Sequence, residues 1–166
     1  MRRKHYKISV VIPFHNVKMD VFEKGIESLR SQTFGFENIE LIVVIHNCAP
    51  EYRTGVHEML DGLDHVIVME LDNDRHTPSS PRNAGLAVAS GDYVGFLDAD
   101  DCYTPGCIET VLESIKRNCA QIAVFRRADP AGGEMSTENY NDSALKTKDA
   151  KRPECPGAGY LRRTYR

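Results

Sequence analysis

No apolar run in this 166-residue sequence approaches the roughly 20 residues that a membrane-spanning helix needs. The run nearest the start, Ile8 to Pro13 behind the basic Met1-Arg2-Arg3-Lys4, is short for a signal-peptide core and carries no small-residue cleavage site. Together these absences read as a cytoplasmic protein, with peripheral membrane contact compatible with it. An excess of one charge is missing too. The net charge is -3, and the first hundred residues hold no basic helix or aromatic-interleaved patch, which excludes nucleic acid as the main partner. Cysteine is present but unpatterned: Cys48, Cys102, Cys107, Cys119 and Cys155 are odd in number and irregular in spacing. That excludes a disulfide framework and a zinc knuckle, and it reads as reduced thiols. Glycine is absent where a phosphate loop would need it, since Phe14-His15-Asn16-Val17 follows the first apolar run. A nucleotidyltransferase is disfavoured on that ground. Gly157-Ala158-Gly159 is no dinucleotide fingerprint, because no strand pattern precedes it and the third glycine is missing.

The remaining composition is that of a globular domain large enough to bury a core, with 41% hydrophobic and 27% charged residues. Ile8 to Pro13 reads as a strand halted by proline. Apolar Val21, Phe22, Ile26 and Leu29 at helical spacing predict a helix over 20–32. Ile39 to Ile45 is so apolar that both faces of that strand must be covered. A helix over 53–60, a strand over 66–69 and a helix over 81–89 follow, the last with Ser79 or Ser80 as N-cap and Gly91 as its stop. Then come a strand from Tyr93, a helix over 105–117 and a fifth strand over 121–125. Strands alternating with helices of this length predict an α/β fold, a mainly parallel sheet with helices on both faces. From Ala128 to Arg152 the chain is polar and has neither periodicity, so it reads as a long loop; 146–166 is a basic tail.

The chemistry is concentrated in Tyr93-Val94-Gly95-Phe96-Leu97-Asp98-Ala99-Asp100-Asp101, where a buried-strand pattern runs straight into three carboxylates. In an open α/β sheet, residues at the carboxyl end of a strand face the ligand crevice. Crowded carboxylates repel unless a cation neutralises them, and hard oxygen ligands suit Mg²⁺ or Mn²⁺, which complete their shells with substrate phosphates. A solvated turn is the plain alternative, and Asp101, shortly before Pro105, is the acid best explained as leading into the next helix. An EF-hand fails: Asp98, Asp100 and Glu109 have the right spacing, but Tyr103 stands where the loop needs glycine and a strand precedes it.

With these residues placed, the chain resembles the family two glycosyltransferases. Ile8-Ser9-Val10-Val11-Ile12-Pro13-Phe14-His15-Asn16 is similar to that family's opening strand and turn. Ser80-Pro81-Arg82-Asn83-Ala84-Gly85 is similar to its Ala-Arg-Asn-x-Gly helix start, and Gly91 to Asp101 to its Asp-x-Asp strand. Three motifs in order, spread over about residues 7–127, are far more specific than any one alone. The resemblance implies a Rossmann-like GT-A fold and metal-dependent inverting transfer from a nucleotide-sugar donor, commonly a UDP-sugar, to a glycan or lipid-linked acceptor. It further implies that Asp98 and Asp100 hold Mn²⁺ or Mg²⁺, and that Pro13, Phe14, Asn16, His46, Asn47, Arg82, Asp98, Ala99 and Asp100 surround the donor.

Two departures qualify the resemblance. Where the family has Val-Asp-Asp-Gly-Ser-Thr-Asp, this chain reads Ile45-His46-Asn47-Cys48-Ala49-Pro50-Glu51. His46 or Asn47 can hydrogen-bond a pyrimidine edge, but the carboxylate is gone. No Glu-Asp pair of the kind that serves the family as catalytic base occurs after residue 127, and Glu134, Glu138, Asp142 and Glu154 are isolated acids. The catalytic base is therefore unassigned. The expected organisation is a donor-binding domain over 1–127, with 128–166 as the start of an acceptor region. The rival class is a module that binds a nucleotide-sugar without transferring it.

Overall fold

The computed structural model describes residues 5–75, 77–120, 122–125, 137–140 and 159–163. The strands are β1 (Ile8–Phe14), β2 (Ile39–His46), β3 (Val66–Leu71), β4 (Tyr93–Phe96), β5 (Ile122–Phe125), β6 (Thr137–Tyr140) and β7 (Gly159–Arg163). The helices are α1 (Met19–Arg30), α2 (Pro50–Leu60), α3 (Ser79–Val88) and α4 (Cys107–Asn118). One sheet contains all seven strands in the order β3-β2-β1-β4-β7-β5-β6. The first four pair in parallel, and β7 pairs antiparallel with both β4 and β5.

Alternation along the central strands sends side chains to two covered faces. Val10, Ile12 and Phe14 of β1 and Leu41, Val43 and Ile45 of β2 pack with Phe22, Ile26 and Leu29 of α1, Val56 and Leu60 of α2, and Ile108, Val111 and Ile115 of α4. The opposite face presents Val11, Ile42, Val44 and Val94, with Ala84 of α3 against them. Each large side chain buried this way contributes roughly 1.5–3 kcal/mol. The expected α/β class with helices on both faces is what the chain adopts.

Several local expectations are corrected. Proline does not halt β1, which runs on to Phe14 while Pro13 pairs with Val44. The reason is register: β1 pairs with β4 only from Ile8 to Val11, so the N–H that Pro13 lacks falls where β1 has no partner on the β4 side. Helix α2 begins three residues early at Pro50, because proline suits the first turn of a helix. The N-cap of α3 is Pro78, with no side-chain cap; Ser79 and Ser80 lie inside the helix. Gly91 is not the stop of α3, which ends at Val88. A Cβ at Gly91 would lie 2.6 Å from the Ser9 backbone nitrogen, so glycine is required there for close approach to β1. Helix α4 starts at Cys107, too far on for Asp101 to lead into it.

The largest correction concerns the segment read as loop and tail. Thr137–Tyr140 and Gly159–Arg163 are strands, and β7 lies between β4 and β5. Both are short, and neither shows the alternation of a half-buried strand; pairing selects them, β6 with the preceding β5 and β7 with β4 and β5. Residue 127, where the domain division was expected, and Glu134, Asp142, Glu154 and Cys155 lie outside the described residues.

Candidate functional site

The cleft lies where β1, β2 and β4 end. It has a volume of about 330 Å³ and is lined at the end of β1 by Pro13, Phe14 and the following His15, at the end of β2 by His46 and the following Asn47, from α3 by Pro81 and Arg82, and beyond β4 by Asp98, Ala99 and Asp100. Of the residues expected around a donor, Asn16 alone is not among the lining residues. Its Oδ1 accepts a hydrogen bond from the Ala49 N–H at 3.0 Å, which fixes the loop after β2. Phe14 reaches the cleft, but its ring is fully buried and meets Phe22 edge-on at 4.8 Å between centroids.

Two close approaches aim the acids. Helix α3 sits on β1 so tightly that a Cβ at Gly85 would be 2.4 Å from Val11 Cγ1. One turn earlier, Arg82 extends Nη2 to Asp98 Oδ1 in an ion pair. The cation that the crowded carboxylates demand is thus supplied in part by the chain itself. On the other side, Gly25 of α1 allows the Asp98-to-Asp101 loop to pass, since a Cβ there would lie 3.1 Å from the Asp101 carbonyl. The loop is tied down further along. The Tyr103 hydroxyl donates to the Phe96 carbonyl at 3.0 Å, and burial of that hydroxyl raises its pKa well above the usual value. Gln32 Nε2 donates to the Thr104 carbonyl at 2.8 Å while its Oε1 accepts from the Ile108 N–H at 3.1 Å. Glu109 accepts from Thr33 Oγ1 at 2.6 Å, away from the other acids, so the EF-hand spacing corresponds to no cage. Asp98 is half-buried, whereas Asp100 is exposed.

The β2 side of the cleft is held by hydrogen bonds between loops. Asn47 takes a left-handed φ of 49°. Its Oδ1 accepts from the Asn73 N–H at 3.0 Å, and its Nδ2 donates to the Asn73 carbonyl at 2.9 Å. Asn73 Oδ1 accepts from the Arg75 N–H at 2.9 Å and faces His46 Nε2 at 3.1 Å, which makes Nε2 the protonated nitrogen of that buried imidazole. The His46 carbonyl in turn accepts from His15 Nδ1 at 2.8 Å. Outside this wall, Arg53 donates from Nε to the Cys48 carbonyl at 2.9 Å and pairs with Glu70 at 2.6 Å and Asp72 at 2.8 Å. Its hydrogen bonds hold both carboxyls below their ordinary pKa values.

Asn73 is the residue that the sequence did not reveal. No pattern in Leu71-Asp72-Asn73-Asp74 distinguishes it from a polar turn, and its role exists only once β2 and β3 stand side by side.

A mainly parallel α/β sheet with acids beyond the carboxyl end of a central strand has the layout of a GT-A-like domain, with its ligand crevice at the strand ends. The chain belongs to glycosyl transferase family 2, whose profile matches residues 9–163. It is 33% identical over 147 residues to the minor teichoic acid biosynthesis protein GgaB of Bacillus subtilis, a match covering 87% of this chain and 16% of that one. It is 29% identical to the GalNAc(5)-diNAcBac-PP-undecaprenol beta-1,3-glucosyltransferase of Campylobacter jejuni, across 86% of this chain and 47% of the relative. Among solved structures, residues 1–349 of Staphylococcus aureus TarS in complex with UDP-GlcNAc superpose with a TM-score of 0.62 at 25% identity, over 70% of this chain and 33% of TarS 1–349. The chain spans less than half the length of each of these proteins. No described helix is long and apolar enough to cross a membrane.

Proposed function

We propose that this chain forms the donor site of a metal-dependent, inverting glycosyltransferase that takes a UDP-sugar and delivers the sugar to a hydroxyl of a glycan or lipid-linked acceptor in cell-surface polysaccharide synthesis. The observation that carries the reading is the convergence of Asp98, Asp100 and Arg82 with His46 and Asn47 on one cleft at the strand ends. The UDP-GlcNAc bound by TarS and the teichoic-acid and undecaprenol-linked names of the relatives support the donor and acceptor classes. A cytoplasmic location, with peripheral membrane contact to meet a lipid-linked acceptor, is part of the same proposal.

The donor set fits Mn²⁺ or Mg²⁺. Arg82 engages Oδ1 of Asp98, leaving Oδ2 and the Asp100 carboxylate as two hard ligands; no group of three or more His, Cys, Asp or Glu side chains able to hold a metal by themselves occurs among the described residues, so the rest of the shell would come from the donor and water. Two carboxylates with substrate phosphates and water completing the shell is the usual arrangement for these ions. A bound ion would supply Lewis-acid stabilisation of the departing diphosphate. The chain's own residues orient the donor. Arg82 keeps Asp98 directed at the cleft and places positive charge beside the phosphates, while His46 and Asn47 border the end remote from the acids. The acceptor hydroxyl must lose a proton as it attacks the anomeric carbon, and general-base assistance at that step is worth about 10²–10⁴-fold. No described residue is assigned to it, and among the acids considered only the backbone of Glu138 is described.

The test is a donor-consumption assay on this chain with UDP-sugar and Mn²⁺. Slow, metal-dependent release of UDP is expected. Tight donor binding with no release under any condition would move the assignment to a nucleotide-sugar-binding module. Rapid turnover would require a base within the chain, and alanine substitutions at Glu134, Glu138, Asp142 and Glu154 would then identify it.

A further inference from the structure

Asn73 makes five hydrogen bonds, three through its side chain and two through its backbone, yet it does not line the cleft. Its backbone N–H and carbonyl are both taken by the Asn47 amide. Its own amide joins His46, the Arg75 N–H and, through Nδ2 at 2.9 Å, the Ser80 hydroxyl on α3. One residue thereby links the end of β2, the loop after β3 and the first turn of α3. Arg53 braces the same junction from outside, since its guanidinium holds Asp72, the preceding residue, and its Nε holds the Cys48 carbonyl. Asn47 sits in a left-handed backbone, which asparagine accepts more readily than other non-glycine residues, and there its amide makes both bonds of the clasp.

The sheet order places β1 between β2 and β4, so this wall stands about two strand spacings, roughly 10 Å, from the acids that end β4. We infer that Asn73 is a positioning residue. Through Asn47 and His46 it fixes the wall against which the donor's base is held, so affinity for the nucleoside part of the donor depends on it while affinity for the diphosphate does not. The inference rests on the reading of the cleft as a nucleotide-sugar site. A neutral amide serves because it donates and accepts at once, tying His46, Arg75 and Ser80 without adding charge near an anionic ligand.

The experiment is calorimetry on the full chain with two probes, UDP and inorganic pyrophosphate, each with saturating Mn²⁺. Two variants are compared with the wild type: Asn73→Ala, which removes the amide, and Asn47→Gly, which removes the clasp while suiting the left-handed backbone. Each variant is expected to bind UDP about tenfold more weakly, the loss of one or two net hydrogen bonds, with pyrophosphate affinity changed by less than about twofold. A purely structural role would weaken both probes together, and that result overturns the inference. Unchanged UDP affinity in Asn47→Gly overturns it as well, whatever Asn73→Ala does to folding. In either case UDP binding by the wild type leaves the site reading standing. A wild type that binds pyrophosphate but no UDP overturns the site reading and the inference together.

Discussion

Gly85→Ala is the substitution through which packing should be felt most directly at the acids. The added Cβ would sit 2.4 Å from Val11 Cγ1, roughly 1 Å inside the 3.4 Å at which ordinary contact begins, with Val11 Cγ2 at 3.1 Å and Cβ at 3.3 Å. Rotating Val11 exchanges one clash for another, and Val11 is fully buried against Ile42, Val44 and Val94, so it has nowhere to retreat. Helix α3 must therefore back away from β1. Overpacking of this kind costs about 1–3 kcal/mol, which for a domain of this size lowers Tm by roughly 2–10 °C. Because Arg82 lies one turn upstream on α3, the same movement draws its guanidinium off Asp98. Metal-dependent UDP affinity should fall along with stability. The assay is thermal unfolding plus calorimetry for Gly85→Ala, for Val11→Ala and for the double variant. Val11→Ala alone opens a cavity, but in the double variant the two changes should offset, giving a coupling energy of about 1–2 kcal/mol in the favourable direction and partial recovery of UDP binding. Strict additivity, or Gly85→Ala with unchanged Tm and affinity, would refute the argument that this contact sets the position of Arg82.

Other expectations follow from the same geometry. Glu40 is buried and accepts from the Ser9 hydroxyl at 2.5 Å, the Ser90 N–H at 2.7 Å and the Ser90 hydroxyl at 2.6 Å. Glu40→Ala strands those donors and should cost about 3 kcal/mol by denaturant unfolding, whereas Glu40→Gln, which keeps most of the contacts, should cost markedly less. The carboxyls of Glu70 and Asp72 titrate below their ordinary values of 4.5 and 3.8 because Arg53 hydrogen-bonds them. Their contribution is therefore present at neutral pH and is lost as pH falls through the depressed folded values; Arg53→Met should flatten the acid limb of a Tm-against-pH curve. Burial pushes the Cys107 thiol up to about 12, while Cys102 and Cys119 are exposed. Iodoacetamide at pH 8 should therefore label Cys102 and Cys119 well before Cys107, as read by peptide mass spectrometry.

The core and the acid-bearing edge could be read from the residues because their signals are local. Ile39–His46 is buried on both faces, and the sequence of that segment says so without help from its neighbours. The three motifs that carry the family resemblance single out Arg82, Asp98 and Asp100, and the fold brings these three to one cleft. What escaped was relational. Asn16, expected beside the donor, lies off the cleft lining, and its side chain fastens the loop at Ala49. Ser80 looked like a helix cap and instead meets Asn73. Strands β6 and β7 have no apolar alternation of their own; β6 takes its place from the edge of β5, the strand before it, and β7 from β4 and β5, both far back in the chain. The clasp between Asn47 and Asn73 depends on the parallel register of β2 and β3, which no single-segment pattern encodes.

The central claim is that Asp98 and Asp100 bind a nucleoside diphosphate through a divalent cation, and titration calorimetry of UDP with Mn²⁺ and again in excess chelator tests it most directly. Binding with Mn²⁺ and almost none in chelator is expected, because the diphosphate and the two carboxylates repel without a cation between them. Asp98→Asn and Asp100→Asn should each weaken the metal-dependent binding by about tenfold, and Asp101→Asn by less. Equal UDP affinity with metal and with chelator, or Asp101→Asn as the most damaging of the three, would contradict the account.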